Sequence, residues 1–166
     1  MTGSNCLRAT MPGPIDYSKV TIYPSHDTAE WWSGTKAGKL LVRECKACGY
    51  MFFPPYPMCA RCNSMDLGWH QSGGTGVIYS YCVIVQPVAA MFVNTVPFVI
   101  GLVELDDCRS PDGSLIRIPF AMIDDEDAVA IGLPAEVVFE PMSDPNLVMP
   151  RWKISGRAAD TWKFER

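Results

Sequence analysis

Hydrophobic positions along the chain fall into two regimes. Up to residue 72 the apolar runs are short and interrupted by glycine, proline and cysteine, whereas from residue 76 onward they alternate with polar positions. In the first regime, Asp27 and Glu30 stand at the spacing of a capping box, Trp31 and Trp32 follow, and Gly34 and Gly38 stop the pattern. That predicts a short helix within 25–38. Residues 40–44 read as a strand leading straight into Cys45. Residues 50–53 read as a second strand closed by Pro54 and Pro55, and 67–71 as a third. Gly73, Gly74, Thr75 and Gly76 mark a sharp turn, read as a hinge between two units. In 77–86, Val77, Tyr79, Tyr81, Val83 and Val85 share one face and Ile78, Ser80, Cys82 and Ile84 the other. Residues 98–105, 115–123, 136–140 and 147–154 continue the strand pattern, with Pro150 confining the last to an edge. Five strands separated by turn signals predict a small antiparallel barrel. The expected organisation is a loose lead-in over 1–26, a helix plus ribbon over 27–72, the barrel over 73–154 and a tail over 155–166.

The ribbon is too small to bury a core without a staple, and its cysteines supply one. Cys45-Lys46-Ala47-Cys48-Gly49 and Cys59-Ala60-Arg61-Cys62 are two Cys-x-x-Cys pairs. In a tight turn, two cysteines three apart aim both sulfurs at one point, and Gly49 permits the positive φ that turns backbone N–H groups toward them. Two such turns give four thiolates in a tetrahedron about one Zn²⁺, at Zn–S distances of about 2.3 Å. A closed tetrahedron leaves no place for water or substrate, so the expected zinc is structural. Iron accepts the same four sulfurs and stands as the alternative. Lys46 and Arg61, with Arg43 and Lys36 upstream, are expected to offset the charge of the cluster. Cys82 is expected as a buried small hydrophobe, and Cys6 and Cys108 as loop residues.

Composition narrows the function classes. The chain of 166 residues is 48% hydrophobic and 19% charged, which describes a folded protein. Its formal net charge is -4. Between residues 76 and 142 the only cations are Arg109 and Arg117, so a nucleic-acid-binding module, the alternative reading of a zinc ribbon with a small barrel, lacks the basic track it needs. No stretch approaches the ~20 apolar residues of a membrane span, and residues 1–17 lack the apolar core of a signal peptide. The expectation is a cytoplasmic protein with neither membrane nor nucleic acid as partner.

No catalytic constellation emerges. His26 and His70 belong to no HExxH motif, no Gly-x-Ser-x-Gly elbow is present, and Gly73, Gly74 and Gly76 complete no phosphate loop. The acidic run 124–127 lacks the ligand spacing of an EF-hand. Trp31, Trp32, Tyr50, Phe52, Phe53, Tyr56 and Trp69 crowd the helix and ribbon, more aromatic surface than so small a unit can hide. Part of the set is therefore a candidate docking surface.

In order, the chain carries the short helix, Gly38-Lys39-Leu40, the two knuckles with Pro54-Pro55 between them, Ser72-Gly73 and Val77-Ile78-Tyr79-Ser80. Gly132-Leu133-Pro134, Val137-Val138-Phe139 and Pro150-Arg151 follow. Over roughly residues 27–154 this resembles the rubredoxin-like zinc-ribbon plus OB-fold proteins associated with acyl-CoA metabolism. The resemblance implies a mainly β fold: a short N-terminal helix, a rubredoxin-like zinc ribbon, then a five-stranded OB-fold antiparallel barrel. It also implies a non-catalytic accessory subunit, not an enzyme on its own. Such a subunit stands in a heteromeric complex beside a thiolase-like enzyme, or an aldolase acting on steroid side chains, with the catalytic residues on the partner. It would stabilise that partner and help form the acyl-CoA entrance. Only Cys45, Cys48, Cys59 and Cys62 carry over as metal ligands. Trp31, Trp32, Arg151 and Trp152 are the expected contacts to partner or CoA.

Overall fold

The computed structural model describes residues 13–163; Cys6 lies outside them. The helix α1 spans Ala29–Lys36 and starts later than the capping-box pattern predicts. Its N-cap residue is Thr28, not Asp27, and the Thr28 hydroxyl accepts the Ser25 backbone N–H at 2.9 Å instead of capping the helix. Gly38, at φ 70°, ends it, where a residue with a Cβ would be strained.

Two sheets follow. The first joins β1 (Leu40–Cys45), β2 (Met51–Phe52) and β3 (Leu67–Ser72) in the order β2-β1-β3, all antiparallel. The second comprises β4 (Thr75–Ile84), β5 (Phe98–Arg109), β6 (Leu115–Ala121), β7 (Pro134–Pro141) and β8 (Val148–Ile154), in the order β6-β5-β4-β7-β8. The two ends of this sheet curl toward each other. A parallel bridge links Met122 to Trp152, and the Ile123 N–H donates to the Trp152 carbonyl at 2.9 Å. The result is a nearly closed five-stranded OB-like barrel. As the proline predicts, β8 is an edge strand, and Pro150 sits opposite Phe139.

One apolar core runs through both sheets. Leu40, Val42 and Met51 of the ribbon pack with Ile78, Val103, Leu105, Ile118 and Trp152 of the barrel. The glycine-rich junction is pinned to match: Asp107 of β5 accepts the Ser72 hydroxyl at 2.8 Å and the Gly73 N–H at 2.6 Å. Within the lead-in, residues 14–17 are fixed too; residues 1–12 lie outside the described residues. The Asp16 N–H donates to the Met91 carbonyl at 3.0 Å, and the Thr95 hydroxyl to the Pro14 carbonyl at 3.1 Å. Over these residues a docked segment, with Ile15 and Tyr17 buried, replaces the loose stretch expected.

Bulges account for the other departures. The register of β4 against β5 shifts between Ile78 and Ser80, so the strict alternation read from the sequence breaks. Tyr81 turns inward with Ile78, Val77 and Tyr79 face outward, and Cys82 is exposed rather than buried. At the bulge, Gly101 lies opposite Tyr81 so closely that a Cβ would collide with the Ser80 carbonyl oxygen. β5 also runs past its predicted end, and Cys108, expected in a loop, is a fully buried strand residue.

Candidate functional site

Both cysteine knuckles are built alike. Each first cysteine is tied by its N–H to the residue five positions on, Cys45 to the Tyr50 carbonyl and Cys59 to the Ser64 carbonyl, both at 2.9 Å. Each carbonyl accepts from the residue after the second cysteine, Gly49 at 2.8 Å and Asn63 at 2.9 Å. Those two residues hold positive φ, 71° at Gly49 and 60° at Asn63. The sequence reading identified Gly49 but missed Asn63, although asparagine is the residue other than glycine that most readily adopts this conformation. The four sulfurs converge within 4.8 Å of one another. Cys45 and Cys62 Sγ stand 3.6 Å apart, and Cys48 and Cys59 Sγ 3.8 Å. A tetrahedron with metal–sulfur bonds of about 2.3 Å has edges of about 3.8 Å, so these donors fit a single ion. Burial pushes the Cys59 thiol up, but the N–H groups of Cys62 and Arg61 and the neighbouring sulfurs outweigh it and bring it down to about 7. Those N–H groups are the ones expected to stabilise a thiolate. At Cys48 the Tyr50 N–H pulls the other way from desolvation and the three sulfurs, which prevail and push it up to about 12. Without an ion, four crowded thiols cannot all ionise.

The expected counter-charges are engaged elsewhere. Lys46 pairs with Glu44. Arg61 pairs with Asp112 at 2.9 Å and lies over the Tyr50 ring. Arg43 stacks 4.0 Å from the centre of the Trp69 ring, and Lys36 donates to Asn146 at 2.9 Å.

A second feature, with no signal in the sequence, is an apolar cavity of about 600 Å³ between α1, the Pro14–Tyr17 stretch and the barrel. Trp31, Phe98, Phe120 and Trp152 wall it, and Tyr17 and Arg151 supply polar atoms. Three of the four residues expected at a partner or CoA contact therefore meet at one place, and Trp32 stands beside them, edge-on to Trp31 at 4.7 Å. Arg151 and Trp152 are buried, while Trp32 is half-buried. Trp152 is 1% exposed and Arg151 5%, because the β8 strand that carries them closes the barrel. The Arg151 guanidinium donates to the Met122 carbonyl and, at 3.1 Å, to Glu140 Oε2, which also accepts the Tyr17 hydroxyl at 2.9 Å. Burial first, then the hydrogen bond and charge of Glu140, raise the Tyr17 phenol well above its usual value.

His26 is fully exposed, with Nδ1 3.7 Å from Asp27 Oδ1. His70 is different: it lies with Asp107 and Cys108 in a second group of donor atoms within 4.8 Å of one another. Burial pushes the Cys108 thiol up to about 12, reinforced by the Asp107 charge. A thiol held protonated in this way is a poor nucleophile.

Comparison with known proteins agrees with this architecture. Residues 32–67 match the family model described as the ChsH2 rubredoxin-like zinc ribbon domain, and residues 69–140 the model described as the ChsH2 C-terminal OB-fold domain. A probable enoyl-CoA hydratase alpha subunit of Thermomonospora curvata is 33% identical over 127 residues, 76% of this chain. The 3-oxo-4,17-pregnadiene-20-carboxyl-CoA hydratase alpha subunit of Mycobacterium tuberculosis is 33% identical over 123 residues, 74% of this chain. The chain spans 37% of the length of each of these relatives. A solved structure described as an Ltp2-ChsH2(DUF35) aldolase superposes with a TM-score of 0.66 at 30% identity, covering 81% of this chain and 98% of that one. The chain thus belongs to the DUF35 family, in its ChsH2 form of rubredoxin-like zinc ribbon followed by OB-fold domain.

Proposed function

We propose that this protein is a non-catalytic accessory subunit of an enzyme complex acting on acyl-CoA substrates. Its partner is a thiolase-like enzyme, of the kind that cleaves steroid side chains by retro-aldol chemistry, and the partner carries the catalytic residues. The observation that carries the reading is the likeness over 98% of the chain named for the Ltp2-ChsH2(DUF35) aldolase. The names of the two hydratase alpha subunits point to the same substrate class.

Cys45, Cys48, Cys59 and Cys62 would hold one Zn²⁺, which supplies a closed structural centre and no reactive position. Their own contribution is to fix the ribbon at one end of the chain, so that β1 presents Leu40 and Val42 to the barrel and α1 stands over the cavity. The cavity lies within the 300–1,000 Å³ range of small-molecule sites and is mostly apolar with a few polar atoms. It offers room for the apolar part of an acyl group entering the partner's site.

Co-expression with a thiolase-like enzyme tests the reading directly. The two chains are expected to co-elute on size exclusion, with acyl-CoA turnover by the complex and none by this chain alone. Turnover by the isolated chain, or failure to bind any thiolase-like or aldolase enzyme encoded beside it, would sink the proposal.

A further inference from the structure

The junction of ribbon and barrel carries a group of donors that the structural zinc site does not use. Antiparallel pairing puts Val42 opposite His70 and Leu40 opposite Ser72. Paired residues share a face, and Val42 and Leu40 point into the common core. His70 and Ser72 therefore point the same way, toward β5, while Trp69 on the opposite face stacks under Arg43. On β5 the register against β6 shifts between Glu104 and Arg109. This irregularity lets the consecutive residues Asp107 and Cys108 both turn to the group instead of to opposite faces.

We propose that His70, Asp107 and Cys108 form a second metal site, for a single borderline divalent ion such as Zn²⁺ or Co²⁺, bridging the ribbon and the barrel. Three observations carry it. One ring nitrogen of His70, a carboxylate oxygen of Asp107 and the Cys108 sulfur lie within 4.8 Å of one another. The Cys108 sulfur and Asp107 Oδ1 are 3.4 Å apart, while a tetrahedral zinc with Zn–S of about 2.3 Å and Zn–O of about 2.0 Å sets that separation at about 3.5 Å. His70 Nε2 is buried and has no hydrogen-bond partner among the described residues, a need that a bound ion would meet.

The surroundings are those of a ligand held in place. Asp107 is oriented by the Ser72 hydroxyl and the Gly73 N–H, the outer hydrogen bonds that metal-binding carboxylates use. Mixed nitrogen, oxygen and sulfur donors favour zinc-like ions over magnesium or calcium. Cys108 is fully buried but Asp107 is exposed, which provides the entry path. On binding, the Cys108 thiol gives its proton to solvent and its sulfur to the ion. Three protein ligands leave a fourth position for water. The imidazole, half-buried on β3, must move by up to roughly 1.5 Å to reach ideal bonding distance.

The test uses the full chain as purified, with its cysteine quartet intact. Metal content is counted after titration with Zn²⁺ and desalting, and Co²⁺ titration is followed by its sulfur-to-cobalt absorption. A second equivalent is expected, together with a rise in melting temperature in excess Zn²⁺. Cys108→Ser and His70→Ala should each weaken the second equivalent by on the order of a hundredfold or more, with the first equivalent unchanged. His70 is only half-buried, so its variant remains informative should Cys108→Ser fail to fold. A single equivalent in the wild type, or a second equivalent that survives both substitutions, would overturn the site.

Discussion

Tyr17 shows how one residue ties distant segments together. It lies in a stretch that reads as a loose lead-in, yet its phenol donates to Glu140, on a strand 123 positions away, and Glu140 in turn receives the buried Arg151. Removing the hydroxyl leaves that charged pair one donor short. Tyr17→Phe is expected to cost about 2 kcal/mol, as for hydrogen bonds to charged groups, measured by urea unfolding. The same phenol predicts alkaline lability. Because its folded value is raised above the unfolded 10.0, the folded protein keeps a proton that the unfolded chain releases. Stability from this group is complete below pH 10.0 and falls as pH rises beyond it. The wild type should lose more stability than Tyr17→Phe between about pH 9 and about pH 11. Equal losses would show that the phenol is not the cause.

At the scale of elements, the ribbon depends on its knuckles. β2 has two residues, and β1 and β3 six each, too little to hold three strands without a cross-link. Structural zinc in small modules supplies on the order of 10 kcal/mol, more than the other ribbon contacts can replace. Cys45→Ala should abolish the bound zinc found by elemental analysis and speed amide hydrogen exchange through β1–β3 before β5 and β6. Retention of slow exchange in β1–β3 after chelation would refute a structural ion there. Barrel elements depend instead on side-chain fit: the bulge between Ile78 and Ser80 places Tyr81 in the core, and Gly101 lies against the Ser80 carbonyl oxygen.

The whole molecule creates what no element has alone, the cavity between α1, the Tyr17 stretch and the barrel. If it receives the apolar part of the acyl group, filling it should change substrate choice but not assembly. Ala121 lines it from β6. In complex with the partner, Ala121→Phe is expected to lower kcat/KM for bulky, steroid-like acyl-CoA by on the order of tenfold or more, with short acyl-CoA unaffected. An equal drop for both would assign the cavity a purely structural part.

The cysteine quartet, the order of elements and the strand count were legible in the chain, because metal spacing, turn residues and alternation are local patterns that neighbours in sequence impose. The inward turn of Tyr81 and the exposure of Cys82 were not, since both follow from a register that only paired strands define, whereas the positive φ of Asn63 belongs to a local turn that repeats the Gly49 knuckle. Arg151 and Trp152 read as part of an edge strand and as contacts to a partner, yet they form the buried closing wall of the barrel; burial depends on what lies across the fold, not on what lies beside a residue in the chain. The cavity and the meeting of His70 with Asp107 and Cys108 are of the same kind. His70 stands 37 positions before Asp107, and only packing one sheet against the other decides that they meet.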